Sequence, residues 1–157
     1  MRSSGKSTPV RLRDVVGDGW GVTLRGLDLT IECLAGWHPL IRQFAADAGR
    51  LLAAHPGTWL EFRQVKQKFG GLRIYFETQA PDDVAAAILA RKDAIQQASF
   101  FKCEVCGSHG TTVSKDPARA RAVSTRCEEH EDGRIFYWGQ GMEYSPVATA
   151  RFRRKTT

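Results

Sequence analysis

Two stretches of the chain repeat apolar residues with the period of an α-helix. Beginning at Leu40, apolar residues recur every three or four positions, which predicts a helix over 38–53 with one apolar face. The same period returns over 82–100, where Asp82 and Asp83 place negative charge in the first turn, as the helix dipole favours. Each predicted helix therefore has one face that another element has to cover.

Other stretches alternate apolar and polar residues, as half-buried strands do. Alternation over 27–33 predicts a strand with Cys33 on its apolar face as a small buried hydrophobe. Over 59–77, two β-rich runs flank the glycine pair at 70–71, which predicts a hairpin with that pair as its two-residue turn. A short strand is also predicted over 134–138.

These elements predict an α+β fold, with a small antiparallel sheet built around the 59–77 hairpin and covered by two helices. The composition is that of a globular chain, because 42% of the 157 residues are hydrophobic and 25% are charged. No stretch approaches the ~18 apolar residues that a membrane-spanning helix needs. The basic N-terminus has no apolar run behind it, as a secretory signal would. A cytoplasmic protein with no membrane association is expected.

The strongest chemical signal is a set of three cysteines and one histidine: Cys103, Cys106, Cys127 and His130, spaced C-x2-C-x20-C-x2-H. A two-residue gap lets a tight turn aim both side chains of a pair at one metal ion. The set predicts a structural Zn²⁺ ion, since four protein ligands leave no tetrahedral position open for water or substrate. His109 is the alternative to His130 as the fourth ligand.

Two classes of zinc enzyme with similar cysteines require residues that this segment lacks. Zinc deaminases need an H-x-E or C-x-E triplet before P-C-x-x-C, yet Lys102 precedes Cys103, and neither His38 nor His55 has a Glu two positions on. Nucleases of the His–Asn–His type need a catalytic histidine pair between their two pairs of cysteine ligands, called knuckles. The corresponding segment here, 111–125, contains no His or Asn. No other catalytic motif is present. The chain is therefore predicted not to be an enzyme and to have no small-molecule substrate.

The cysteine cluster also divides the chain. Because only two residues separate Phe100, at the end of the second predicted helix, from Cys103, the cluster is expected to dock on the core, with zinc acting as a staple for a small zinc-ribbon-like module. The predicted parts are a disordered basic arm (1–13), the α+β core (14–101), the C-terminal zinc-knuckle module (102–147) and a basic tail (148–157).

The net charge of +6 is concentrated at the two ends of the chain. Residues 1–13 and 148–157 each contain four basic residues and no acidic one. The segment between them keeps 15 of the 23 basic residues and all 17 acidic ones, a net charge of −2. Basic ends can bind phosphate through counterion release, but they also serve as solubility features, so charge alone does not assign a nucleic-acid partner.

The hairpin adds a more specific signal, because it interleaves cations with the aromatic residues Phe69 and Tyr75. Such a pattern can hold a phosphate backbone and stack bases, although it also fits the solvated outer face of a sheet. The candidate nucleic-acid- or partner-binding residues are Arg63, Lys66, Lys68 and Arg73 in the hairpin, Arg119, Arg121 and Arg126 in the knuckle, and Arg151, Arg153, Arg154 and Lys155 in the tail.

Several of these segments together resemble a family of small bacterial and phage-borne proteins. The likeness covers roughly 36–130: a Gly-Trp pair before an amphipathic helix, the hairpin sequence QVKQKFGGLRIYF, and CEVCG followed by CEEH. The chain departs from that family at Gln67, where Glu is usual, in the segment between the knuckles, and in a longer C-terminal extension. The resemblance implies a zinc site and a phage or mobile-element setting, and it implies no activity.

Two functions follow as hypotheses. The first is a small structural-zinc protein that binds nucleic acid as an accessory or regulatory factor. The alternative is a phage or mobile-element inhibitor, of the anti-defence or immunity type, that binds a partner protein. Its anchors would be the aromatic residues Tyr75, Tyr137 and Trp138, since aromatic side chains dominate binding energy at protein interfaces.

Overall fold

A computed structural model of the chain describes residues 8–114, 123–131 and 135–136. It has two parts, an α+β unit and a smaller β unit that includes Cys103, Cys106 and Cys127. In chain order the elements are α1 (Leu12–Val16), β1 (Leu24–Arg25), a 3-10 turn (Ala35–Trp37), α2 (His38–Ala53), β2 (Trp59–Lys68), β3 (Gly71–Gln79), α3 (Asp82–Ser99), β4 (Thr111–Ser114), β5 (Ser124–Arg126) and β6 (Ile135–Phe136).

The two long helices lie where the apolar period predicts them. Helix α2 begins with Pro in its first turn and buries the face that carries Leu40, Ile41 and Phe44. Helix α3 has two Asp residues in its first turn and buries Val84 and Ile88. Helix α3 packs on β3 and on α2, and Phe44 of α2 packs on Phe62 and Phe76 of the hairpin, so the two covering helices of the predicted fold are present.

The first sheet is mixed, which corrects the prediction of an antiparallel sheet. Strands β2 and β3 form the antiparallel hairpin, but β1 pairs with the other edge of β2 in the parallel sense. A bulge between Phe62 and Gln64 shifts the register by one residue, so Phe62 and Val65 both face the core. The two polar residues between them are Arg63, which is exposed, and Gln64, which is half-buried.

The prediction of a strand over 27–33 is wrong, although the alternation of burial there is real. Leu27 and Ile31 are buried and the residues between them are more exposed, as in a strand. The segment forms only isolated bridges, one through Thr30 to the start of the chain and one through Glu32 to β2. Because its backbone bonds are shared between two partners, no continuous ladder develops.

The folded part of the chain begins before residue 14. The Leu12 side chain is fully buried, and its amide donates to the carbonyl of Leu29 at 2.9 Å. Residues 11–13, predicted as part of the basic arm, are therefore part of the folded unit.

The turn of the hairpin is one residue earlier than predicted. Phe69 and Gly70 form the two-residue turn, with φ of 53° and 83°, and the register pairs Lys68 with Gly71. Two positive φ values are the signature of a type I′ turn. Gly71 is instead the first residue of β3. It has to be glycine because a Cβ there would lie 2.5 Å from the Phe100 ring.

A second, three-stranded antiparallel sheet with the order β5-β4-β6 forms the cysteine-bearing unit. Its third strand, Ile135–Phe136, lies within the strand predicted over 134–138. Thr112 and Thr125 are opposite each other in the register and are buried on the face of this sheet that meets Gly70 of the hairpin turn.

Apart from Gly71, against which Phe100 at the end of α3 packs, the helices leave one face of the first sheet open. On the covered face, Phe44 of α2 contacts Phe62 and Phe76 with ring centroids 5.9 and 5.6 Å apart. On the opposite face of the hairpin, every side chain is half-buried or exposed. We call this the outer face, and it consists of Trp59, Glu61, Arg63, Gln64, Lys66, Lys68, Arg73, Tyr75, Glu77 and Gln79.

Candidate metal centre

The four predicted ligands converge on one point. The ligand atoms of Cys103, Cys106, Cys127 and His130 all lie within 4.8 Å of one another. The Sγ atoms of Cys106 and Cys127 are 3.7 Å apart, and His130 Nδ1 lies 3.6 Å from Cys103 Sγ and 3.1 Å from Cys127 Sγ. Zinc–sulfur bonds of about 2.3 Å at tetrahedral angles put two sulfurs ~3.8 Å apart, so the spacing suits a zinc ion.

The first knuckle is a tight turn closed by backbone hydrogen bonds. The amide of Gly107 donates to the Cys103 carbonyl at 2.8 Å, and the amide of Cys103 donates to the Ser108 carbonyl at 2.7 Å. Gly107 has a φ of 78°, which favours glycine. The turn therefore holds Cys103 and Cys106 on the same side, as the C-x2-C spacing predicts.

The second knuckle is a shorter turn that follows β5. The amide of His130 donates to the carbonyl of Cys127 at 3.1 Å, which brings the two side chains of this pair together. His109 lies outside the cluster: it is exposed, and its backbone forms a bridge with Lys102. The structure thus selects His130, through Nδ1, over His109 as the fourth ligand.

The local environment already favours a thiolate at one ligand. Hydrogen bonds from the Ser108 side chain and backbone lower the pKa of Cys106 to about 6. Burial raises the pKa of Cys127, and the neighbouring thiols of Cys106 and Cys103 raise it further. Because metal ligation needs deprotonated sulfur, a bound cation would stabilise the thiolate of Cys127 where the protein alone does not.

Three thiolates and one imidazole fit Zn²⁺, and they would complete its tetrahedral shell. Cys103 is fully buried, whereas Cys106 is exposed, so the ion would lie at the surface of the molecule with one side sealed. An ion held in this way has no open position for substrate and contributes to folding. Cys33 lies apart, partly buried against the core, where desolvation raises its pKa to about 12.

The first knuckle is joined to the core by close backbone contact with the Gly-Trp pair. The amide of Gly36 donates to the Glu104 carbonyl at 2.7 Å, and the indole Nε1 of Trp37 donates to the Lys102 carbonyl at 2.8 Å. A Cβ on Gly36 would lie 2.2 Å from the Cys103 carbonyl oxygen, so only glycine fits. The Gly-Trp pair and the first knuckle are therefore the two sides of one interface.

The turn of the hairpin also contacts the cysteine-bearing unit. We call this contact and the one with the Gly-Trp pair, taken together, the joint. The hydroxyl of Thr125 donates to the carbonyl of Gly70 at 2.6 Å, within a buried contact. The side-chain amide of Gln67 donates to the carbonyl of Val123. An ionised Glu could not donate this hydrogen bond, so the contact requires the amide side chain of Gln67.

Arg126 is part of the same joint. Its Nη1 lies 3.3 Å from Oε1 of Glu104, and the two side chains are only 11% and 6% exposed. The pair links β5 to the first knuckle beneath the surface. Arg126, predicted as a nucleic-acid contact, is thus buried beside the metal cluster.

The hairpin cations differ in their availability. Arg63 lies between two carboxylates, 3.1 Å from Glu61 and 2.7 Å from Glu77. Lys66 lies 5.8 Å from the centre of the Tyr75 ring. In the described ranges, neither Lys66 nor its neighbours Lys68 and Arg73 form an ion pair. The remaining predicted binding residues lie outside the described residues: Arg119, Arg121, Arg151, Arg153, Arg154, Lys155, Tyr137 and Trp138.

Sequence reasoning missed the supporting residues Gly36, Trp37 and Glu104 and the turn residue Phe69. The Gly-Trp pair is visible in the sequence, but nothing local says that it meets a knuckle far along the chain. The sequence does not predict a positive φ at Phe69, because a bulky side chain is unusual in that conformation.

Comparisons of the chain with protein-family models, with curated proteins and with solved structures give no match. None of the helices in the described ranges has both the length and the apolar character to span a membrane.

Proposed function

We propose that the chain is a structural-zinc protein that binds nucleic acid as an accessory or regulatory factor and has no catalytic role. The zinc-ribbon-like unit is assigned a structural task, since its four ligands would fill the coordination shell and its backbone is bonded to the core. The surface to which nucleic-acid binding is assigned is the outer face of the hairpin.

The observation that carries this proposal is the unbalanced charge on that face. Lys66 and Arg73 are directly opposite each other in the register of β2 and β3. Like charges placed opposite one another destabilise a sheet, so the pair creates a positive site that an anionic ligand would relieve. Glu32 bridges to Lys66 at the other edge of β2, and its carboxylate accepts a hydrogen bond from Gln64 at 2.9 Å, so this row carries two cations and one acid.

An aromatic ring lies beside these cations. Tyr75 is 43% exposed, and Lys66 approaches its ring. Cations next to an exposed ring on an open sheet combine phosphate binding with base stacking, which supports nucleic acid over a simple anion. The Arg63 end of the face is neutralised by its two carboxylates, so the proposed site is the end nearer the turn.

The test is a salt series of fluorescence anisotropy with the full chain and labelled oligonucleotides. Replacing both Lys66 and Arg73 by Ala should weaken binding and reduce the slope of log affinity against log salt by roughly 1.4–1.8, for two phosphates lost. The matched control replaces Arg42 and Arg91, two exposed cations on the helices that cover the other side. An equal effect of both pairs would contradict the proposal, because it would mean that charge alone determines binding.

A protein partner is the second candidate, favoured by exposed apolar residues at the joint. Leu34 and Val105 are 46% and 37% exposed, and they flank the contact between Gly36 and Glu104. An inhibitor would use such residues as anchors. A stoichiometric complex with one protein that is insensitive to salt, and that is lost on replacing Leu34 and Val105 by Ser, would favour this function.

A further inference from the structure

The turn residue Phe69 occupies a conformation that its side chain disfavours. Its φ is 53°, and among the described residues it is the one non-glycine with a positive φ. Type I′ turns strongly prefer Asn-Gly at these two positions, and here the sequence is Phe69-Gly70. Retaining a bulky residue in this conformation is unfavourable for the fold and calls for a compensating role.

Burial does not supply that compensation. Phe69 is 45% exposed, and it is absent from the core to which Phe44 and Phe62 belong. The ring instead has a cation beside it, with Lys68 Nζ 5.6 Å from its centre. Lys68 projects from the outer face, so the Phe69 ring stands at the turn end of that face.

The outer face thus has an ordered series of aromatic and basic groups. Tyr75 lies at one end, the cross-strand pair Lys66 and Arg73 comes next, and Lys68 and Phe69 lie at the turn. Tyr75 lies four positions along β3 from Gly71, the paired end of the hairpin, which is a distance of about 13 Å. We call the five side chains from Tyr75 to Phe69 the aromatic-basic stripe.

We propose that the aromatic-basic stripe binds single-stranded nucleic acid, with unpaired bases stacked on Phe69 and Tyr75 and the phosphates between them on the three cations. The inference rests on the proposed function, which gives nucleic acid as the class of ligand, and it adds that the ligand is single-stranded. Stacking on a side-chain ring requires an exposed base face, which a duplex does not offer. A stripe of this length can hold a short run of unpaired nucleotides.

The experiment separates stacking from folding by replacing Phe69 with Asn. Asn tolerates the left-handed conformation and completes the favoured Asn-Gly turn, so the melting temperature of Phe69→Asn should equal or exceed that of the parent. Its affinity for a labelled 10-nucleotide single strand should fall at least about fivefold, the lower end for loss of one stacked base. Phe69→Tyr keeps a ring and should retain the affinity.

A comparison of single strands with duplex and one control variant sharpen the test. Single-stranded DNA and single-stranded RNA of one sequence are compared with the matching duplex, and both single strands should bind more tightly than the duplex. The control variant is Phe101→Asn, which removes a ring that is 53% exposed near the knuckle, outside the stripe. It should leave the affinity for single strands unchanged.

The outcomes distinguish this inference from the function beneath it. Equal affinity of Phe69→Asn and the parent for single strands would overturn the stacking role, and so would duplex binding as tight as single-strand binding. In both cases nucleic-acid binding itself would stand. If the full chain bound no oligonucleotide at low salt, the proposed function would fail and the inference with it.

Discussion

Replacing Gly36 by Ala is the sharpest structural perturbation, because it acts on the joint between knuckle and core. Gly36 lies in the 3-10 turn before α2, with a backbone conformation that Ala can adopt. Without a neighbour, the change would stabilise the chain by about 0.5–1 kcal/mol through the lower entropy of unfolded Ala. Here the added Cβ would lie 2.2 Å from the Cys103 carbonyl oxygen and 2.5 Å from that of Glu104.

The magnitude follows from the contacts at this point. Restoring van der Waals distance requires the two backbones to separate by about 1 Å. The hydrogen bonds from Gly36 to Glu104 and from the Trp37 indole to Lys102, now 2.7 and 2.8 Å, would both be lost or severely stretched. At about 2 kcal/mol for each donor left without a partner, the net loss is about 3 kcal/mol after the entropic gain.

Thermal unfolding of the full chain measures this loss. A destabilisation of that size lowers the melting temperature by roughly 5–15 °C in a chain of this length. The matched control is Gly19→Ala, where no atom lies within 4 Å of the new Cβ, and it should leave the melting temperature unchanged or slightly raised. If Gly36→Ala behaved like Gly19→Ala, the described contact between knuckle and core would be refuted.

Three other variants test the cluster and its surroundings. Cys103→Ser should reduce bound zinc from about one ion per chain to near zero and lower the melting temperature, whereas Cys33→Ser should retain the metal; equal zinc contents would contradict the ligand assignment. Arg126→Ala should destabilise the fold by about 3 kcal/mol in urea unfolding, because it leaves the Glu104 carboxylate buried without this cation, and a change under 1 kcal/mol would contradict a buried pair. Burial, and then the nearby Arg42 charge, lower the pKa of His38, so its contribution to stability is full above about 6.5 and is lost as the pH falls through the lower pKa of the folded state. The difference in melting temperature between the parent and His38→Gln should therefore shrink from pH 7.5 to 5. A constant difference would contradict a lowered pKa for His38.

The elements with local signals were predictable from the sequence. Helices α2 and α3 end within one residue of their predicted limits, because a Pro, an acidic first turn and a helical apolar period all act within the segment itself. The metal cluster was predictable for the same reason, since each C-x2-C or C-x2-H pair is one turn. The segment 27–33 shows the limit: alternating burial is a property of any extended chain along a core, and only a partner strand makes it a ladder.

The features that depend on distant residues could not be predicted. Arg126 looks like a free cation in the sequence, and only the fold places Glu104 beside it. The turn at Phe69 was displaced from the glycine pair because Gly71 is required against the Phe100 ring, a contact between the hairpin and the end of α3. The resemblance to small phage-borne proteins and the cytoplasmic location stay predictions.

The most direct test of the account is X-ray absorption spectroscopy of zinc in the protein purified without chelator. We predict about one zinc ion per chain, with three sulfur neighbours at about 2.3 Å and one nitrogen at about 2.0–2.1 Å. That result would establish the closed site of Cys103, Cys106, Cys127 and His130 as the staple of the fold. Protein that folds with no zinc, or a zinc shell with two or fewer sulfurs, would contradict it.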